Sequence, residues 1–166
     1  MKTIFLTLSV ALALPSAALA QPAPTAPATS FVAKAAASDL YEIQSSRLAL
    51  QKSRNEEVRR FAQMMVDHHT KTTQQVSAAA KEAGVASPPA KLEPAQAQMI
   101  AALQPLSGDA FDKAYLMQQR TAHEQALALH SDYAERGDKP QLRNAASAAT
   151  PIVQRHLTEL QSMKAR

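Results

Sequence analysis

Apolar side chains recur every three or four positions in four separate stretches of the chain, and nowhere do they alternate in the manner of a strand. The second stretch is the clearest: Val58, Ala62, Met65, His69, Thr72, Val76, Ala79 and Ala83. The fourth runs Leu142, Ala145, Ala149, Ile152, His156, Leu160 and Met163. The third carries Leu116, His123, Leu127 and His130 beside a row of Phe111, Tyr115, Ala122 and Leu129. The first is weaker, with Phe31, Ala35, Ser38, Glu42, Ser45 and Ala49 flanked by Leu40, Ile43 and Leu50.

Capping and breaking residues set the expected ends. The first helix is expected over about Phe31 to Ser53. The second begins near Asn55, where Ser53 and Glu56 have capping-box spacing, and ends at Gly84 as a C′ residue. The third follows Ser107-Gly108-Asp109 and stops at Gly137. The fourth takes Asp138 as N-cap, tolerates Pro140 in its first turn and is expected to kink near Thr150, ahead of Pro151. The first and second helices, and the third and fourth, are joined by short turns that force antiparallel hairpins. Residues 85–107 form a long connection with Pro88-Pro89 and a short helix beginning at Pro94. The expected fold is therefore all-α: a ferritin-like four-helix bundle, two antiparallel hairpins joined by a long crossover.

Glu42, His69, His123 and His156 each interrupt a stripe, and each sits on a different helix. A buried polar group is costly unless something satisfies it. Measured from the turns at about 1.5 Å per residue, Glu42 and His69 differ in height by about 4–5 Å, and His123 and His156 by about 7 Å. Helical side chains lean toward their own N-terminus, which draws both pairs together. A shared site in the middle of the bundle is the expectation, with neutral imidazoles as ligands of one divalent metal and Glu42 as a fourth ligand. Glu159, one turn beyond His156, is the alternative fourth ligand. Met65 lies one turn before His69; a thioether would favour copper, but core filling accounts for it as well. His68 is about 100° around the helix from His69 and is expected to face solvent, while His130 extends the polar row or sits near the bundle end.

Composition changes the setting more than the fold. Lys2, the apolar run Ile4 to Leu14 and Ala18-Leu19-Ala20 have the order of a secretory signal peptide, cleaved before Gln21. The expected divisions are a signal peptide over 1–20, a Pro/Ala-rich flexible leader over 21–30 and the bundle over 31–163, in a periplasmic or secreted protein. The apolar run is too short for a permanent anchor, and no later run reaches membrane-spanning length. With no Cys there are no disulfides, no thiolate chemistry and no lipid-anchored cysteine. The formal net charge of +4 is mild and scattered, so nucleic acid is a poor partner. The partner is otherwise left open, oligomerisation included.

Phe61-Ala62-Gln63-Met64-Met65-Val66-Asp67-His68-His69-Thr70, Phe111-Asp112-Lys113-Ala114-Tyr115-Leu116 and Thr150-Pro151 with His156-Leu157, in that order, resemble the bacterial envelope family known as domain of unknown function 4142. The resemblance implies a ferritin-like bundle in an exported protein and brings no established activity. It also implies that the family's recurring Asp-His pair falls on His68-His69, with the acid replaced by His68. Ferritin-like di-iron sites need Glu-x-x-His motifs, yet Val66, Arg120 and Val153 stand three residues before His69, His123 and His156. Di-iron chemistry is therefore not expected, and a mononuclear His-rich site stays open. The leading functional expectation is an envelope protein binding a metal or small ligand at this cluster. The alternative is a non-catalytic structural or interaction protein with packing histidines. An enzyme ranks third, for want of a nucleophile constellation.

Overall fold

The computed structural model describes residues 26–163, so the expected signal segment 1–20 lies outside the described residues. Five helices follow in order: α1 Ala28–Lys52, α2 Glu56–Glu82, α3 Pro94–Leu103, α4 Gly108–Arg136 and α5 Pro140–Ser162. Among the described residues there is no strand, only one isolated bridge between Ala26 and Gly137. α1 packs on α2 and α4, and α5 packs on α2 and α4, while α3 lies against α1 and α4. None of the helices among the described residues is long and apolar enough to cross a membrane.

Local chemistry sets most boundaries, with some departures from expectation. α1 begins at Ala28, inside the expected leader, because Ala26 is pinned to the α4–α5 turn: its N–H donates to the Arg136 carbonyl (3.0 Å) and its carbonyl accepts from Asp138 N (3.3 Å). Asn55, not Ser53, caps α2, its Oδ1 accepting from Glu57 N and Val58 N. Ser53 instead accepts from Asn55 N within the turn. Gly84 closes α2 at φ +68°, with Val85 N donating to Ala80 O and Gly84 N to Lys81 O, the paired bonds of a Schellman end. Asp138 does not cap α5; its carboxylate accepts from the Tyr133 hydroxyl, and Lys139 takes the cap position. Tyr133 also lies so close to Gly137 that a Cβ there would meet its ring at 2.4 Å. α5 continues as helix through Pro151.

Two apolar clusters form the core. One gathers Phe61, Met65, Phe111, Tyr115, Leu160 and Met163 near the α1–α2 turn. The other gathers Phe31, Val32, Val76, Tyr133, Leu142 and Ala146 near the α4–α5 turn. Most buried polar residues of the long helices fall between these two sets, among them Asp39 and Glu42 on α1, His69 and Thr72 on α2, Gln119 and His123 on α4, and His156 on α5; Asp112, next to Phe111 on α4, is an exception. The core is thus a polar layer held between two apolar ones. Leu160 is wholly buried, whereas Leu127 of the expected stripe is only half-buried. Leu160→Ala is predicted to cost about 2–5 kcal/mol in urea unfolding and Leu127→Ala clearly less; equal losses would contradict this division of the core.

Candidate metal centre

α2, α4 and α5 bring His69, His123 and His156 together: one ring nitrogen from each lies within 4.8 Å of the other two. The rings are 5.2 Å (His123–His156), 5.5 Å (His69–His123) and 5.7 Å (His69–His156) apart between centres. The difference in height estimated for His123 and His156 does not separate them, since His123 Nε2 is 3.1 Å from His156 Nδ1. Two imidazole nitrogens bound to one tetrahedral ion at 2.0–2.1 Å would stand about 3.3 Å apart. The three rings are therefore close to the spacing that a single ion requires.

What lies behind each ring decides which nitrogen is free. His123 Nδ1 donates to the Gln119 carbonyl at 2.8 Å, an i to i−4 contact along α4. His123 Nε2 therefore carries the lone pair when the ring is neutral. His69 Nδ1 is 2.8 Å from Asp39 Oδ1, and Thr73 Oγ1 holds the other carboxylate oxygen at 2.9 Å. His69 Nε2 is buried and has no hydrogen-bond partner. A carboxylate behind a histidine, and a carbonyl behind another, are the supports that orient imidazole ligands toward a metal.

The electrostatics keep two of the rings neutral. Burial above all, then the neighbouring His123, His69 and His68 rings and Arg155, push His156 down to about 2. Burial, then His69, pushes His123 down to about 3. Burial is also the largest influence on His69 and lowers it, but the hydrogen bond and charge of Asp39, helped by Glu42, outweigh it and raise the group above its usual value. Burial lifts Glu42 to about 7, against the opposing pull of His69.

Glu42 is not one of the atoms brought together. Its Oε1 lies 3.4 Å from His123 Nδ1, on the edge of the ring opposite the inward-facing Nε2. Both its oxygens are buried without a hydrogen-bond partner. Glu159, the alternative fourth ligand, is exposed on the outside of α5, and Met65 is packed into the apolar cluster beside Phe61 and Leu160. His130 is buried edge-on to Phe31 at 5.5 Å, with an unpartnered Nδ1, nearer the α4–α5 end.

Two participants are not in the expected set. Asp39 is one; it lies four residues after Ala35 and three before Glu42, on the same face, and the weak periodicity of α1 favours Ser38 in its place. His68 is the other. It is exposed, yet it does not turn away from the site, because its Nδ1 reaches His156 Nε2 at 2.8 Å.

Acid should destabilise the metal-free chain. His123 and His156 titrate in the folded chain well below the unfolded histidine value of about 6.5, so below that pH the unfolded state binds more protons. Glu42, raised to about 7 from 4.5, works the other way between those two values. Stability is predicted to fall as pH drops below about 6.5, and more steeply below about 4.5, where Glu42 no longer opposes. Each uncompensated proton costs about 1.4 kcal/mol per pH unit. Urea midpoints from pH 8 to 4 measure this. A His123→Gln, His156→Gln variant should give a flatter profile; an unchanged one would contradict the assignment.

Comparisons with known proteins agree with this architecture. No curated protein matches the chain. Two solved structures of DUF305 proteins share the helical fold. The fragment from Deinococcus radiodurans is 16% identical, covers 84% of this chain and 97% of its own, and has a TM-score of 0.71. The other, from Streptomyces coelicolor and described as a candidate secreted protein, is 12% identical, covers 80% of this chain and 88% of its own, and has a TM-score of 0.68. The family model for DUF4142, a domain of unknown function, matches residues 13–163, and the chain belongs to that family.

Proposed function

We propose that this is an exported envelope protein that binds a single divalent metal ion at His69, His123 and His156. The observation that carries the reading is the unpartnered, buried Nε2 of His69 beside two rings that stay neutral to low pH. A buried polar atom left without a partner costs stability unless an ion or a water satisfies it. Asp39 adds negative charge behind His69, and Glu42 adds it behind His123, which offsets the charge of a dication. All-nitrogen ligation suits zinc, copper, iron or nickel rather than calcium or magnesium. The two hairpins and the crossover over residues 83–107 favour a ferritin-like arrangement, but the single cluster of imidazoles speaks for one ion and not a carboxylate-bridged pair. Export rests on the Lys2, apolar-run and Ala18-Leu19-Ala20 order, and the DUF305 relative described as a candidate secreted protein is in keeping with it. The form to assay is then the chain beginning at Gln21.

One observation favours the competing reading, a packing role: His123, His156 and His68 bond to one another. Thermal unfolding with and without Zn²⁺ separates the two. Binding to the folded state alone stabilises by about 2.7 kcal/mol at one hundred times Kd, which raises Tm by several degrees. The rise is predicted for the wild type, absent in His69→Ala and in His156→Ala, and reduced but present in Glu42→Gln. If metal leaves the wild-type Tm unchanged while each His→Ala lowers it, the histidines serve packing.

A further inference from the structure

The His68–His156 contact does more than bury a polar edge. The two rings are nearly parallel (15°), with centres 5.1 Å apart and nitrogens only 2.8 Å apart. Those values place the rings side by side in one plane, joined by an in-line N–H···N bond, and not face to face. His156 is therefore engaged at both nitrogens: Nε2 by His68 and Nδ1 by His123.

The direction of every bond in this chain follows from its buried end. The Gln119 carbonyl can only accept, so the proton of His123 is on Nδ1 and its Nε2 is an acceptor. His156 Nδ1 must then donate to His123 Nε2, which leaves His156 Nε2 as an acceptor for His68 Nδ1–H. In this arrangement all three rings, when neutral, carry their proton on Nδ1. That state blocks the metal site, because the nitrogen of His156 that faces His123 holds a hydrogen and not a lone pair.

We propose that His68 is a positioning residue that switches the tautomer of His156 and so frees its Nδ1 for the metal. The step balances without any ring changing charge. For His156 Nδ1 to serve as a ligand, its proton would have to leave to solvent. The Nδ1 proton of His68 passes along the 2.8 Å bond to His156 Nε2, and solvent reprotonates exposed His68 at Nε2. In the loaded state His156 Nε2–H donates to His68 Nδ1, while His123, tied to its carbonyl, keeps its Nδ1 proton. Exposure of His68 is what this requires, since its outer nitrogen must exchange with water. The surface position thereby completes a support for His156 like those that Asp39 gives His69 and Gln119 gives His123.

This inference rests on the metal reading, and the test keeps the two apart. Long-range ¹H–¹⁵N spectra of the full domain, metal-free and saturated with Zn²⁺, report the tautomer of each ring. Nδ1–H is expected at His68, His123 and His156 without metal; with Zn²⁺, His68 and His156 change to Nε2–H and His123 does not. Zn²⁺ affinity, from competition with a chelator, should fall about 10–100-fold in His68→Phe. His68→Gln should keep most of it, since an amide oxygen can accept from His156 Nε2–H with no tautomer change. The relay is overturned, with the site intact, if His69→Ala abolishes binding while His68→Phe binds as the wild type does. It is equally overturned if His156 carries Nε2–H before metal is added. If the wild type binds no Zn²⁺, the metal reading falls and the relay falls with it.

Discussion

A carbonyl oxygen can only accept a hydrogen bond, and the one on Gln119 lies 2.8 Å from His123 Nδ1. This backbone contact within α4 fixes the proton on the outer side of His123 and turns a lone pair toward the bundle axis. The same logic acts at His69, where the Asp39 carboxylate accepts from Nδ1–H and Nε2 is left buried without a partner. The outer edges of His123 and His69 are thus tied to a carbonyl and a carboxylate, while nitrogens of these two rings and of His156 converge. The polarity of the cluster is thus set by its surroundings and not by the rings themselves.

The cost of that layer is borne by the apolar clusters on either side. Buried imidazoles and carboxylates contribute little to folding and lower stability wherever a partner is missing. Phe61, Met65, Tyr115 and Leu160 on one side, and Phe31, Val76, Tyr133 and Leu142 on the other, supply the burial that holds the four helices in register. Further polar bonds secure the crossover: the Tyr41 hydroxyl donates to Gln118, whose amide donates to the Met99 carbonyl in α3, and Lys52 holds the carbonyls of Gln104 and Leu106. The chain can in this way keep a polar centre without disulfides.

The fold was largely legible because its signals are local. Period-3.6 stripes, Gly84 and Gly137 at helix ends and the prolines of the crossover each act within a few residues. The convergence of His69, His123 and His156 was also legible, since helix geometry carries heights over a dozen residues. What the sequence hid is set by rotation of a helix or by one side chain's reach. Ser38 and Asp39 both fit a weakly amphipathic α1, and only packing against His69 selects Asp39. His68 is exposed by position, but its ring reaches His156 on α5, which no periodicity encodes. Glu42 was placed at the right level, on the wrong edge of His123 to meet the other rings.

The most direct measurement is the position of the ion itself. Crystals of the domain grown with Zn²⁺ and measured at the zinc absorption edge should give one anomalous peak per chain. That peak is predicted to lie among His69, His123 and His156, with nitrogen ligands at about 2.0–2.1 Å. An absent peak, or one confined to surface carboxylates with the three rings still bonded to one another, would contradict it.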